Sequence, residues 1–123
     1  MGYNGTMEFK PFTIERPWGQ FRQLTHNSLS TVKIHRVKPE EETSWQSHTK
    51  RGEFWHVVGG DGKIIVEDKE YSVAPGAEYY APVGAKHRLI AGKSGMILVE
   101  VATGDFDEED IIRYEDKYGR AQK

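Results

Sequence analysis

The stretch EFWHVVGGDGKIIVEDKEYSV, Glu53 to Val73, decides how the rest of the chain is read. It opens on an aromatic and β-branched run and resumes one at Lys63 to Val66, and such residues fit a pleated, half-buried backbone. Between the two runs lies Gly59-Gly60-Asp61-Gly62, a composition that predicts a hairpin turn. A second turn is expected at Glu67-Asp68-Lys69 and a third at Pro75-Gly76. Downstream, AEYYAP, KHRLIAG and GMILVEVATG predict three more short strands, separated by Gly or Pro. Upstream, LSTVKIHRVK (Leu29 to Lys38) alternates as a half-buried strand does, with Val32 and Ile34 on its apolar face. PEEETS is a solvated connection, and ERPWGQFRQL turns at Pro17 and Gly19 before a short strand.

Short strands at this density of turns predict an all-β domain, an antiparallel sandwich or small barrel. The tail DFDEEDIIRYEDKYGR is the exception. Asp107 suits an N-cap, acidic residues fill the next turn and Gly119 would stop it, so a short C-terminal helical segment is expected. Residues 1–13 read as an irregular arm, and residues 14–120 as one domain with its C-terminal extension packed on the barrel.

With 123 residues the chain has room for one real core, and hence for one site. No apolar run approaches the ~20 residues of a membrane helix. A net charge of −2 gives no general attraction to nucleic acid. The absence of cysteine excludes disulfides and thiolate metal sites, leaving His, carboxylate and amide oxygen as ligands. MGYNGTMEFK lacks the pattern of a secretory signal, which places the protein in the cytoplasm and makes the sequon Asn4-Gly5-Thr6 incidental.

Two strings carry the chemistry: Gln46-x-His48-x4-Glu53-x6-Gly60 and Gly76-x5-Pro82-x-Gly84-x2-His87. Residues two apart in a strand share a face, so Gln46 and His48 can point together into the domain. Glu53 opens the return strand after a turn, and His87 would close the shell from a neighbouring strand. One amide oxygen, two imidazoles and one carboxylate suit a borderline divalent cation, zinc first among several. Gln46 could instead orient His48 or contact substrate. His26, His35 and His56 read as surface or hydrogen-bonded residues, and Trp18, Trp55 and Tyr80 as core.

The same two strings resemble the cupin signature, with Gln46 where the first His usually stands, Glu40 in place of the leading Gly and Ala91 in place of the final Asn. The resemblance implies a double-stranded β-helix, the jelly-roll barrel. ERPWGQF, QSHTKRGEFWHVVGG, PVGAKHRLI and LVEVATGDFDEEDIIRYEDKYGR are more specific, and across residues 14–120 they resemble the C-terminal cupin domain of type II mannose-6-phosphate isomerases. Those domains are commonly fused to a mannose-1-phosphate guanylyltransferase; no such domain accompanies these residues, so nucleotidyl transfer is not implied.

This resemblance implies a metal-dependent interconversion of mannose 6-phosphate and fructose 6-phosphate through an enediol. It also implies a homodimer and a role in carbohydrate metabolism and polysaccharide biosynthesis. Catalytic positions would be Arg51, Lys86 and Glu100, the last either a base or a structural carboxylate. Lys50, Arg88 and Arg113 would meet the sugar phosphate, although Arg113 and Arg120 could equally hold the acidic tail. Family members carry His where this chain has Lys50 and Phe54, so an acid or base role at the latter would be lost. Two other readings stay open: a non-catalytic cupin that binds a sugar phosphate or nucleotide sugar for a partner enzyme, and an iron dioxygenase.

Overall fold

A computed structural model describes residues 10–121. Among these residues nine strands form in chain order: β1 (Phe12–Arg16), β2 (Gly19–Gln23), β3 (Ser30–Val37), β4 (Trp45–Ser47), β5 (Gly52–Val66), β6 (Lys69–Val73), β7 (Glu78–Ala81), β8 (His87–Thr103) and β9 (Ile112–Glu115). All the pairings are antiparallel. Among the described residues there is no helix, so none is long and apolar enough to cross a membrane.

β5 and β8 organise everything else. They run antiparallel along most of their lengths, from Gly52↔Thr103 to Val66↔His87. The first half of β5 and the second half of β8 pair with β7 and β3, respectively. Their other halves pair with β6 and β4, and β4 in turn pairs with β9. Two long strands therefore pass through both layers of a two-layer jelly roll. The strand order ends at β6 and β9, so the jelly roll expected from the sequence has a sheet that is not closed on itself.

Gly59 to Gly62 is not a turn. The register between β5 and β8 slips at Val57/Gly59 and again at Gly60/Gly62, so the segment is a pair of bulges that bends one continuous strand from the first layer into the second. Gly60 has φ +88°, and a Cβ there would sit 2.1 Å from the carbonyl oxygen of Gly95. Only glycine permits that approach. The KHRLIAG and GMILVEVATG strands likewise merge into β8. The turns at Glu67-Asp68 and Pro75-Gly76 form as expected, the latter closed by Ala77 N donating to Ala74 O and held to β5 by Gly76 N donating to Val57 O.

The expected C-terminal helix is absent. Asp107 does cap one turn, with its side chain accepting from Glu109 N and its carbonyl from Asp110 N. The chain then extends, because Asp110 accepts three hydrogen bonds from Thr49 and Lys50, and Ile112–Glu115 pairs with β4. Tertiary pairing outweighs the local helix signal. At the other end, Phe12 and Thr13 are in β1, so strand structure begins within the stretch expected to be an irregular arm. Asn4 to Thr6 lie outside the described residues.

The core between the layers is Trp55, Val57, Ile64, Val73, Ala81, Leu89, Ala91, Met96 and Leu98. Trp55 is thus a core residue as expected; Trp18 is not, standing 73% exposed at the tip of the β1–β2 turn. The hairpin is fastened to β7 by a two-pronged contact from Arg22 to Glu78, which His56 also meets. β3 inverts the expected face. Val32 and Ile34 are 61% and 58% exposed, and the alternate residues Lys33 and His35 turn inward.

Candidate metal centre

One end of the space between the layers is polar. A cavity of about 100 Å³ opens there, and its walls include Gln46, Glu53, His87, Glu100, Lys33 and His35. Glu53 comes from the start of β5, His87 from the start of β8, and His48 from the loop that follows β4. The register explains the meeting: Gln46 pairs with His87 across β4 and β8, and Gly84 N donates to His48 O, which brings the two loops together.

His48, Glu53 and His87 are each 3–4% exposed, and their ligand atoms all lie within 4.8 Å of one another. His48 Nε2 is 3.2 Å from Glu53 Oε2, and His87 Nε2 is 3.2 Å from Glu53 Oε1. Each imidazole's other nitrogen faces a backbone carbonyl: His48 Nδ1 meets Asp110 O at 2.8 Å, and His87 Nδ1 meets Ala85 O at 3.1 Å. A carbonyl only accepts, so both Nδ1 atoms carry hydrogen, and each Nε2 faces a carboxylate oxygen with either a second proton or a lone pair that a metal could take.

That arrangement tests whether a cation belongs here. Two lone pairs aimed at two carboxylate oxygens repel unless a proton or a metal lies between them. Burial pushes His48 below the ordinary imidazole pKa and outweighs the nearby charge of Glu53, so a second proton on that ring is disfavoured. Burial would by itself raise the pKa of Glu53, but hydrogen bonding and charge from His87, together with His48 and Arg51, hold its carboxyl far down, so it is an anion. The donor set fits a divalent cation. Gln46 directs its amide nitrogen to Ser44, leaving its oxygen as the end that can join the set.

The structure separates the remaining site candidates. Arg51 is buried: its Nε donates to Glu53 Oε2 at 2.9 Å, Nη1 to Asp107 O, and Nη2 approaches His48 Nε2 at 3.5 Å. Glu100 is buried in the cavity wall and accepts from Trp55 Nε1 and from His35 Nε2 at Oε1. Lys86 instead stacks its ammonium 4.4 Å above the Tyr114 ring, and Arg88 reaches Thr43 O and Glu115. Lys50 is exposed beside Asp110, and Arg113 is on β9 opposite Gln46. These four are not among the cavity walls. Arg120 closes a local pair with Asp116. Phe54 is buried but lies outside the cavity, on the face of β5 opposite Glu53 and Trp55.

Lys33, His35 and Glu108 were missed. The signal was present in LSTVKIHRVK, where every second residue from Thr31 is Thr, Lys or His until Val37; that reads as a solvent face until the partner layer is in place.

A jelly roll with two histidines and a glutamate converging at one end is the cupin arrangement. The family model described as "Mannose-6-phosphate isomerase C-terminal" matches residues 5–116, and the chain belongs to that family. It is 38% identical over 109 residues to a mannose-1-phosphate guanylyltransferase of Salmonella montevideo, and 36% identical over 109 residues to the alginate biosynthesis protein AlgA of Pseudomonas aeruginosa. Each match covers 87% of this chain but only 23% of the relative, so the chain spans under a quarter of the length of these proteins. In fold it is similar to oxalate decarboxylase from Bacillus subtilis, with a TM-score of 0.64 and 22% identity over 70% of this chain and 24% of that one.

Proposed function

We propose that this domain is a metal-dependent aldose–ketose isomerase that interconverts mannose 6-phosphate and fructose 6-phosphate. The supporting observation is that Glu53 and His87 of the His48/Glu53/His87 cluster line the same cavity as the Glu100/His35 pair. Membership of the family narrows the substrate class.

In this reading His48, Glu53 and His87, with Gln46 as a fourth donor, hold a divalent ion, zinc first. Bound there, it would act as a Lewis acid toward the carbonyl and hydroxyl oxygens of the open-chain sugar. Glu100 is the base. Its Oε1 is held by Trp55 and His35, which orients the carboxylate and leaves Oε2 to take the C2 proton of mannose 6-phosphate. Returning that proton to C1, while a proton moves from O2 to O1, completes the exchange with atoms balanced. Arg51 keeps Glu53 ionised and in place; it touches the cluster, and a direct role on sugar oxygens is open to it. Lys86, Lys50, Arg88 and Arg113 would have to act from outside the cavity walls. Exposed Val32 and Ile34, on a strand that among the described residues pairs with β8 alone, support the homodimer. The relative named for alginate biosynthesis supports a role in polysaccharide biosynthesis.

Elemental analysis of the purified protein, followed by a coupled assay on mannose 6-phosphate, tests the reading. His87→Ala should remove both bound metal and turnover. Metal-loaded protein that binds the sugar phosphate without turnover would overturn the isomerase and leave a binding module for a partner enzyme.

A further inference from the structure

The segment between β8 and β9, residues 104–111, runs along one wall of the cavity as a strap. Asp110 ties it to the β4–β5 loop, and Arg51 Nη1 donates to Asp107 O. Glu108 and Ile111 from this strap are part of the cavity wall. Two cations stack on the Phe106 ring, Lys33 Nζ 4.4 Å and Arg51 Cζ 4.3 Å from its centre. Glu108 Oε2 accepts from Lys33 Nζ at 2.9 Å, and the carboxylate side chain is otherwise 74% exposed.

Among the cavity walls, Lys33 and Arg51 are the lysine and arginine side chains. Arg51 is occupied by Glu53 and Asp107, which leaves Lys33 as the cation whose present partner is exchangeable. That partner is a carboxylate carried on the strap. An exposed ion pair of this type contributes roughly 0–1 kcal/mol, because water screens it and both side chains lose freedom. A phosphate monoester near neutral pH carries close to two negative charges and three acceptor oxygens, so it outcompetes one exposed carboxylate for the same ammonium. The hydrogen bond from Lys33 holds the Glu108 carboxyl below its ordinary range, with the charges of Lys33 and Arg51 adding to it, so this position lies in a field that favours anions. Finally, about 100 Å³ is small beside the ~300–1,000 Å³ of ordinary ligand pockets, as expected if part of the chain fills the ligand's place.

We propose that Lys33 is the seat for the phosphate of a phosphorylated ligand, and that Glu108 on the 104–111 strap holds this seat in the free protein and is displaced when the phosphate arrives. The choice of a sugar phosphate as ligand rests on the function proposed above; the seat itself rests on the Lys33–Glu108 contact. Binding therefore includes an internal competitor, and removing it must tighten binding. A structural ion pair predicts no such gain.

Calorimetric titration of the full chain with mannose 6-phosphate, inorganic phosphate and unphosphorylated mannose, with and without EDTA, tests this. Lys33→Met should weaken mannose 6-phosphate and phosphate by about tenfold or more, whereas Glu108→Gln should tighten both by about threefold. Neither should change the affinity for mannose. Glu108→Lys should tighten phosphate binding further, and because Glu108 is exposed these two variants keep the fold, so they decide the matter even if Lys33→Met does not fold. Unchanged phosphate affinity in the Glu108 variants, an equal change for mannose, or no binding of either phosphate by the wild type would overturn the seat. Turnover assayed on the same samples separates the two ideas. Affinity shifts without turnover refute the isomerase and support the seat; turnover without affinity shifts refutes the seat alone.

Discussion

β3 and the first half of β5 flank the same stretch of β8, yet they use alternation in opposite ways. On β5 the inward residues are Glu53, Trp55 and Val57, two of them core and one a ligand candidate at the mouth. On β3 the inward residues include Lys33 and His35, and the apolar Val32 and Ile34 face outward. The apolar side of a strand faces the core only where the space it meets is dry. Where the space is a polar cavity, the rule reverses, and the reversal marks the wall of a site.

The largest test of this contrast is on β5. Glu53→Ala leaves the Arg51 guanidinium buried without its carboxylate, and should cost about 3–5 kcal/mol in urea unfolding as well as abolish metal uptake. A loss under 1 kcal/mol would mean that water enters the cluster freely and that β5 is as wet there as β3. Next comes the bend that carries β5 between layers. Gly60→Ala sets a Cβ against Gly95 O at a positive φ, and about 1–3 kcal/mol of strain should appear as a lower thermal midpoint. An unchanged midpoint would show that the bulge relaxes easily.

His35 offers a smaller effect with a definite sign. The hydrogen bond to Glu100 raises its pKa above the ordinary imidazole value, against the pull of burial. A group whose folded pKa is raised contributes stability below its unfolded pKa, about 6.5, and loses it as pH rises through the folded value. Urea midpoints should therefore fall across that window, and His35→Gln should flatten the fall; an equal slope in the variant would remove His35 as its source. Smallest of all, Val32→Thr and Ile34→Thr should each change stability by no more than about 0.5 kcal/mol. A larger loss in dilute monomer would show that the outer face of β3 is covered within one chain, and a loss confined to concentrated samples in sedimentation would identify a covering second copy.

Much of the fold and of the site can be read from short patterns. Val32, Ile34 and their neighbours announce a strand by alternation alone, and Pro75-Gly76 announces a turn because its backbone has few other uses. His48, Glu53 and His87 stand at spacings that only a return strand and one neighbouring strand can bring together. Three features resist such reading, each for a local reason. Gly60 and Gly62 have turn composition, yet a bulge needs the same positive φ as a turn, so the two look alike until β8 is beside them. The acidic run after Asp107 has the marks of a helix start, and it does cap one turn before Asp110 is taken by Thr49 and Lys50. Lys86 and Arg88 flank His87 in sequence, but on a strand the residues adjacent to an inward side chain point away from it.

The sequence by itself determined the antiparallel all-β class, most strand positions, the ligand types available without cysteine, and the residues that form the cluster. These follow from local backbone preference and from the chemistry of single side chains. Only the tertiary structure decided which face of β3 is inside, that β5 and β8 each run unbroken through two layers, and that Glu108 on the strap meets Lys33 some 75 residues away in sequence. Those outcomes depend on what each side chain meets across the gap between layers, and a linear pattern does not contain the identity of the partner surface.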